Sequence, residues 1–150
     1  MASHVRGQIR EYVRAQIEAI DGLAGFVVFD STDVPDDLEI PWAFVWIGDE
    51  NVEAFTLGGP GGRKLSREVE LTVDLFHRAK SEALALAEDY CAQIEAKIAA
   101  YPQMGGLVKS TDLRAYTIAR SEEGSQPIVR VRMQWIVTYW TQERDATVPA

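Results

Sequence analysis

Trp42-Ala43-Phe44-Val45-Trp46-Ile47, the acidic turn Gly48-Asp49-Glu50-Asn51, the segment Val52-Glu53-Ala54-Phe55-Thr56-Leu57, the loop Gly58-Gly59-Pro60-Gly61-Gly62-Arg63-Lys64 and the alternating run 65–77 form one continuous unit. Its reading decides the fold. The first stretch reads as an apolar strand, admitted by Pro41 and buried on both faces. In the last run Leu65, Val69, Leu71, Val73 and Leu75 point one way, and Ser66, Glu68, Glu70, Thr72 and Asp74 point the other. That is the pattern of a sheet with one covered face. Arg67 falls on the apolar side near the loop, so that end is expected to project beyond the core. The glycine-rich loop is too long for a tight hairpin, and long loops inside compact domains usually carry function or lack order. No catalytic motif lies beside it. The combination points to a surface completed by another protein, not to an enzyme pocket.

Outward from this unit the signals are simpler. Residues 3–21 read as a helix with Ser3 as cap, Val5, Ile9, Val13, Ile17 and Ile20 on one face, and Asp21-Gly22 as its end. Residues 26–29 read as a short buried strand, and 30–40 as a loop rich in Asp, Ser, Thr and Pro. A second helix is expected over 81–100, capped by Ser81, with Leu84, Ala87, Cys91, Ile94 and Ile98 as its apolar stripe and Tyr101-Pro102 as its stop. Residues 111–120 read as a strand and Glu122-Glu123-Gly124-Ser125 as a hairpin turn. In the last strand Val129, Val131, Met133, Trp135, Val137 and Tyr139 face one side, with Arg130, Arg132, Gln134 and Thr138 on the other. The segment 141–150 shows no pattern and is expected to be a flexible tail. The order is that of a single α+β domain over 1–140: a mainly antiparallel sheet with two helices packed on one face.

Fifteen basic against 23 acidic residues give a formal charge of -8. That balance argues against a general nucleic-acid binder, which needs clustered Lys and Arg, and leaves open a protein that DNA passes without sticking. No apolar run approaches the roughly 20 residues of a membrane span, so no membrane partner is expected. The N-terminus lacks the apolar centre of a signal peptide. One cysteine forms no internal disulfide, so a reducing cytoplasm is the expected compartment.

Catalytic and ligand motifs fail on their chemistry. The loop ending Arg63-Lys64-Leu65 lacks the Gly before Lys, the following Ser or Thr and the helix of a phosphate loop. Cys91 lies on an apolar helix stripe and reads as an inert buried thiol. His4 and His77 have no Cys or carboxylate at ligand spacing. Asp30, Asp33, Asp36, Asp37 and Glu39 lack the Gly turn and terminal Glu of a calcium loop. The expectation is no enzyme, no cofactor and no metal. Outward Trp140, with Arg130 and Arg132 on the same face, instead suits an interface, where aromatic and Arg side chains are enriched.

Taken in order, several segments resemble the tail-terminator proteins, the minor tail protein U-like group of long-tailed bacteriophages and gene transfer agents. They are the helix from Ile9 to Ile20, Val27-Val28-Phe29-Asp30-Ser31, the run from Ile40 through Trp42 and Trp46 to Glu50, and Thr56-Leu57-Gly58-Gly59-Pro60 with the charged strand after it. Tyr101-Pro102, Gly105-Gly106-Leu107-Val108 and the closing segment from Pro127 to Tyr139 complete the series, which covers nearly the whole chain. The resemblance implies a virion structural protein: a ring-forming subunit whose homo-hexamer caps the head-proximal end of the tail tube. There it would end tube polymerisation and offer a head-joining surface. The implied partners are the major tail tube protein and a head-completion or neck protein, with DNA passing through the ring, in a virion tail assembled in the host cytoplasm. It also implies that Phe55, Thr56, Leu57, Gly58, Gly59, Pro60, Gly61, Gly62, Arg63 and Lys64 meet the tube and neighbouring subunits. Arg67, Arg130, Arg132 and Trp140 are further interface candidates. Two alternatives stay open: a head–tail neck or adaptor ring, and a small ligand-binding or hydrolytic domain using the acidic loop.

Overall fold

A computed structural model describes residues 3–27, 41–59, 62–78, 83–121 and 128–150. Helix α1 (Val5–Glu18) precedes strands β1 (Ala24–Val27), β2 (Trp42–Ala54) and β3 (Lys64–Arg78). Helix α2 (Ala83–Ala100) and a short 3-10 turn (Met104–Gly106) lead to β4 (Ser110–Ser121), β5 (Ile128–Gln142) and β6 (Asp145–Pro149). One six-stranded sheet runs β1-β2-β3-β5-β4, with β6 paired to β5 beyond the end of β4. Among the described strands only β1 and β2 run parallel. The α+β class, the single domain and the mainly antiparallel sheet with two helices agree with the sequence pattern.

Burial alternates residue by residue along the whole of β5, so Val129, Val131, Met133, Trp135, Val137 and Tyr139 all face the core. Opposite them Val69, Leu71, Val73 and Leu75 line the same face of β3. Helix α1 covers β1 and β2 with Val5, Ile9, Val13 and Ile17, while α2 covers β3 and β5 with Ala87, Cys91, Ile94 and Ile98. Burial and the carboxylates of Glu88 and Glu95 push the Cys91 thiol up to about 12, which leaves it protonated and unreactive at neutral pH. Leu84, expected on that stripe, is exposed instead, because it sits in the first turn of α2.

Four further features depart from the sequence reading. His4, not Ser3, caps α1: its Nδ1 accepts from the Arg6 N–H at 3.0 Å. The acidic turn 48–51 is no turn but a bulge within one long strand, since Ile47 pairs with Leu71 and Glu50 with Val69. One extra residue on β2 reverses the alternation and swings Glu50 onto the covered face. The open face of the sheet is not simply solvated either. Trp42 stacks on Phe76 at 5.7 Å, Phe44 meets the same ring edge-on at 5.9 Å, and Arg132 lies 5.4 Å over Trp46. This second apolar layer leaves Phe44 and Trp46 half-buried and buries the outward Thr72 and Asp74. Finally, the segment 141–150 has regular structure where a loose tail was expected. Thr141 and Gln142 end β5, and the chain turns back as β6. Gln8 Nε2 donates to the Thr147 carbonyl at 2.7 Å and the Ala150 N–H to the Trp140 carbonyl at 2.9 Å. Such a strand is held mainly by backbone bonds, so it needs no apolar alternation.

His77 is buried on the core side of β3, and neither ring nitrogen has a hydrogen-bond partner among the described residues. Burial lowers its pKa below 6.5. The His4 pKa is lowered too, by burial first and then by Arg6 and Arg67. The unfolded chain therefore takes up protons more readily than the native one, and native stability falls as pH drops below about 6.5. Tm is expected to fall between pH 7.5 and 5.5. His77→Phe, which replaces an unpartnered polar ring by an apolar one, should shrink that fall without lowering Tm at pH 7.5. Thermal melts of both proteins at the two pH values check this, and an unchanged pH slope in the variant would refute it.

Candidate functional site

The hairpin joining β2 and β3 is closed by the Phe55 N–H, which donates to the Lys64 carbonyl at 3.2 Å, and by the Lys64 N–H, which donates to Thr56 Oγ1 at 2.7 Å. Gly58 and Gly62 both have positive φ, 96° and 83°, a conformation that disfavours side-chain-bearing residues. The Gly62 N–H donates to the Gly59 carbonyl at 2.9 Å. Pro60 and Gly61 lie outside the described residues. Just before Gly58, Leu57 stands fully exposed, with Phe55 partly exposed nearby.

The base of the tip is anchored from the other end of the chain. Phe55 packs against Trp140 with ring centroids 4.7 Å apart, and Lys109 Nζ lies 4.5 Å from the centre of the same indole. Arg63 forks onto Glu143, with Nε 3.0 Å and Nη2 2.6 Å from its two oxygens, while the Glu143 N–H donates back to the Arg63 carbonyl at 2.8 Å. Hydrogen bonding to Arg63 holds the Glu143 carboxyl down to about 2. Arg63, expected to meet the tube and neighbouring subunits, has a carboxylate partner within its own chain.

The remaining candidates separate. Arg67 does not project beyond the core. Its Nη1 lies 3.0 Å from Glu50 Oε2 and its Nε donates to Thr141 Oγ1 at 2.9 Å. Tyr139 donates its hydroxyl to Glu50, and Arg6 Nη1 lies 3.6 Å from the same carboxylate. Side-chain exposure of 7% for Glu50 and 13% for Arg67 makes this a nearly buried cluster beneath the start of α1. It serves the fold rather than a surface. Arg132 is bidentate to Asp74 at 2.8 and 3.0 Å, and Trp46 Nε1 also donates to that carboxylate at 3.2 Å. Arg130 is half-buried opposite Phe76, with its Nε enclosed and unpartnered among the described residues. It stands ten residues along β5 from Trp140, about 33 Å at strand rise.

The structure thus brings the described loop residues and Trp140 together at one end of the sheet, with Arg67 at that end but on the covered face and Arg130 and Arg132 farther along β5. Glu143 and Lys109 join the site unannounced, because only strand pairing brings them to the hairpin. Among the described residues no three His, Cys, Asp or Glu side chains gather as a metal site, and no helix is long and apolar enough to cross a membrane. The acidic loop 30–40 and the turn 122–125 lie outside the described residues. No known protein family matches the chain, and no curated protein does.

Proposed function

We propose that this chain is a tail-terminator subunit. Six copies close a ring on the head-proximal end of a tail tube, stop its growth and present a surface to the neck of the head, while DNA passes through. The observation that carries the reading is the ordered series of segments from Ile9 to Tyr139 that resembles the tail-terminator group. Two structural features support it. The antiparallel sheet projects a glycine-bounded tip with an exposed Leu57, a form suited to docking on another subunit. The tip is anchored through Trp140 and Glu143, so an interface built on it starts from an ordered base and loses less conformational freedom on binding.

Negative-stain imaging of the purified protein, alone and with polymerising tube protein, tests the proposal. The expected result is sixfold rings seated on one end of tubes whose length no longer grows. Rings that ignore tubes but bind head vertices would select the neck-adaptor reading instead. A strict monomer with no effect on tube length would overturn both.

A further inference from the structure

The hairpin tip has a counterpart on the same chain. In α2, Leu84, Glu88, Cys91 and Glu95 follow at spacings of four, three and four, which places them on one flank. The Tyr116 hydroxyl donates to Glu95 Oε2 at 2.6 Å, so that flank faces β4. Tyr116 and Ile118 pair with Met133 and Val131, whose side chains face the helices, so both lie on the helix side of the sheet. Yet β4 is an edge strand, and Ile118 is 53% exposed with Leu84 and Tyr116 each 43% exposed. The result is an apolar strip with Glu88 and Glu95 on its helix side and Arg120 next along the same face of β4.

This strip and the tip lie at opposite ends of the sheet. Ile118 is level with Val131 and Leu75, eleven residues along β3 from Lys64, or about 36 Å. Their chemistry is complementary. The tip offers Leu57 and Phe55 and has no carboxylate anywhere from 55 to 64, and Lys64 accompanies them. The strip offers Leu84, Tyr116 and Ile118 beside the carboxylates of Glu88 and Glu95. Tip against strip joins apolar to apolar and offers Lys64 to the strip's carboxylates.

We propose that the β2–β3 tip of one copy docks on the α2–β4 strip of the next copy. Because the two surfaces differ and sit at opposite ends, the contact is head-to-tail, and repetition through a closing rotation makes a ring. The inference rests on the ring proposed above and names the receiving surface.

The test uses two surface variants, Leu57→Asp on the tip and Ile118→Asp on the strip, examined by sedimentation velocity. Each alone should lose at least tenfold in self-association. Their equimolar mixture should form a dimer and nothing larger, since one intact tip and one intact strip remain. Leu84→Asp repeats the strip test on the helix, should Ile118→Asp disturb β4. If both strip variants still form complete rings, the strip is not the receiver and the ring itself stands. If the mixture stays monomeric while the unaltered protein forms rings, the tip–strip pairing is likewise overturned. If the unaltered protein stays monomeric at every concentration and with tube protein present, both the pairing and the ring fail.

Discussion

Glu50→Ala is expected to lower Tm by about 10 °C. The carboxylate is nearly buried and answers three groups: Arg67, Arg6 and the Tyr139 hydroxyl. Removing it leaves the Arg67 guanidinium enclosed, with Thr141 as its one remaining hydrogen-bond partner among the described residues. Removing one partner of a buried ion pair costs about 3–5 kcal/mol. For a chain of this size each kcal/mol shifts Tm by about 2–4 °C. The loss comes from stranding a charge, so removing both charges should recover most of it. The double change Glu50→Leu with Arg67→Met is therefore expected to melt within a few degrees of the unaltered protein. Thermal melts followed by circular dichroism decide the matter. A loss under about 2 °C for Glu50→Ala would mean that water reaches the cluster freely and that the bulge carries no energetic weight.

Replacing residues 56–63 by Asn-Gly is expected to abolish ring formation and tube capping while leaving Tm unchanged or slightly raised. Phe55 and Lys64 already face each other at the hairpin's neck, and Asn-Gly suits a two-residue connection between twisted strands. Shortening eight residues to two is two halvings of the loop, worth about 1.2 kcal/mol in closure entropy. That gain offsets the lost Thr56 bond and the exposed Arg63–Glu143 pair, the latter of a type that contributes little. Leu57 disappears altogether, and under the tail-capping proposal the working tip goes with it. Tubes grown with this variant should be overlong and fail to join heads. Normal tube lengths with a normally folded variant would show that the tip is not the working surface.

The same contacts show why some site residues were legible in the chain and others were not. The glycines of the loop announce a tip because their backbone freedom is a local property. Trp140 could be placed outward by counting alternate residues along one strand. Its partner Phe55 lies 85 residues away and Lys109 lies 31 away, and neither distance leaves a periodic trace. Arg67 was placed on the correct face, and what it meets there was not. Its partner Glu50 reaches that face through a one-residue bulge that no alternation announces. Arg63 and Lys64 looked alike as loop cations, and only the return of the chain into β6 gives Arg63 its Glu143.

What the sequence by itself determined is the class of fold and the identity of the core. A period of two marks the strands and spacings of three and four mark the helices. Both follow from backbone geometry within a few residues and from the gain of removing apolar side chains from water. Val69, Leu71, Val73 and Leu75 on β3, and the alternate residues of β5, are buried as their spacing requires. What only the tertiary structure decided is which strand lies beside which, where register slips, and which polar groups consequently meet. Strand order β1-β2-β3-β5-β4 leaves β4 at an edge, exposing Tyr116 and Ile118 that alternation alone would bury. The pairing of β6 with β5 gives structure to a segment with no pattern of its own. Backbone hydrogen bonds between strands are blind to side-chain type, so their partners are settled by the packing of the whole chain.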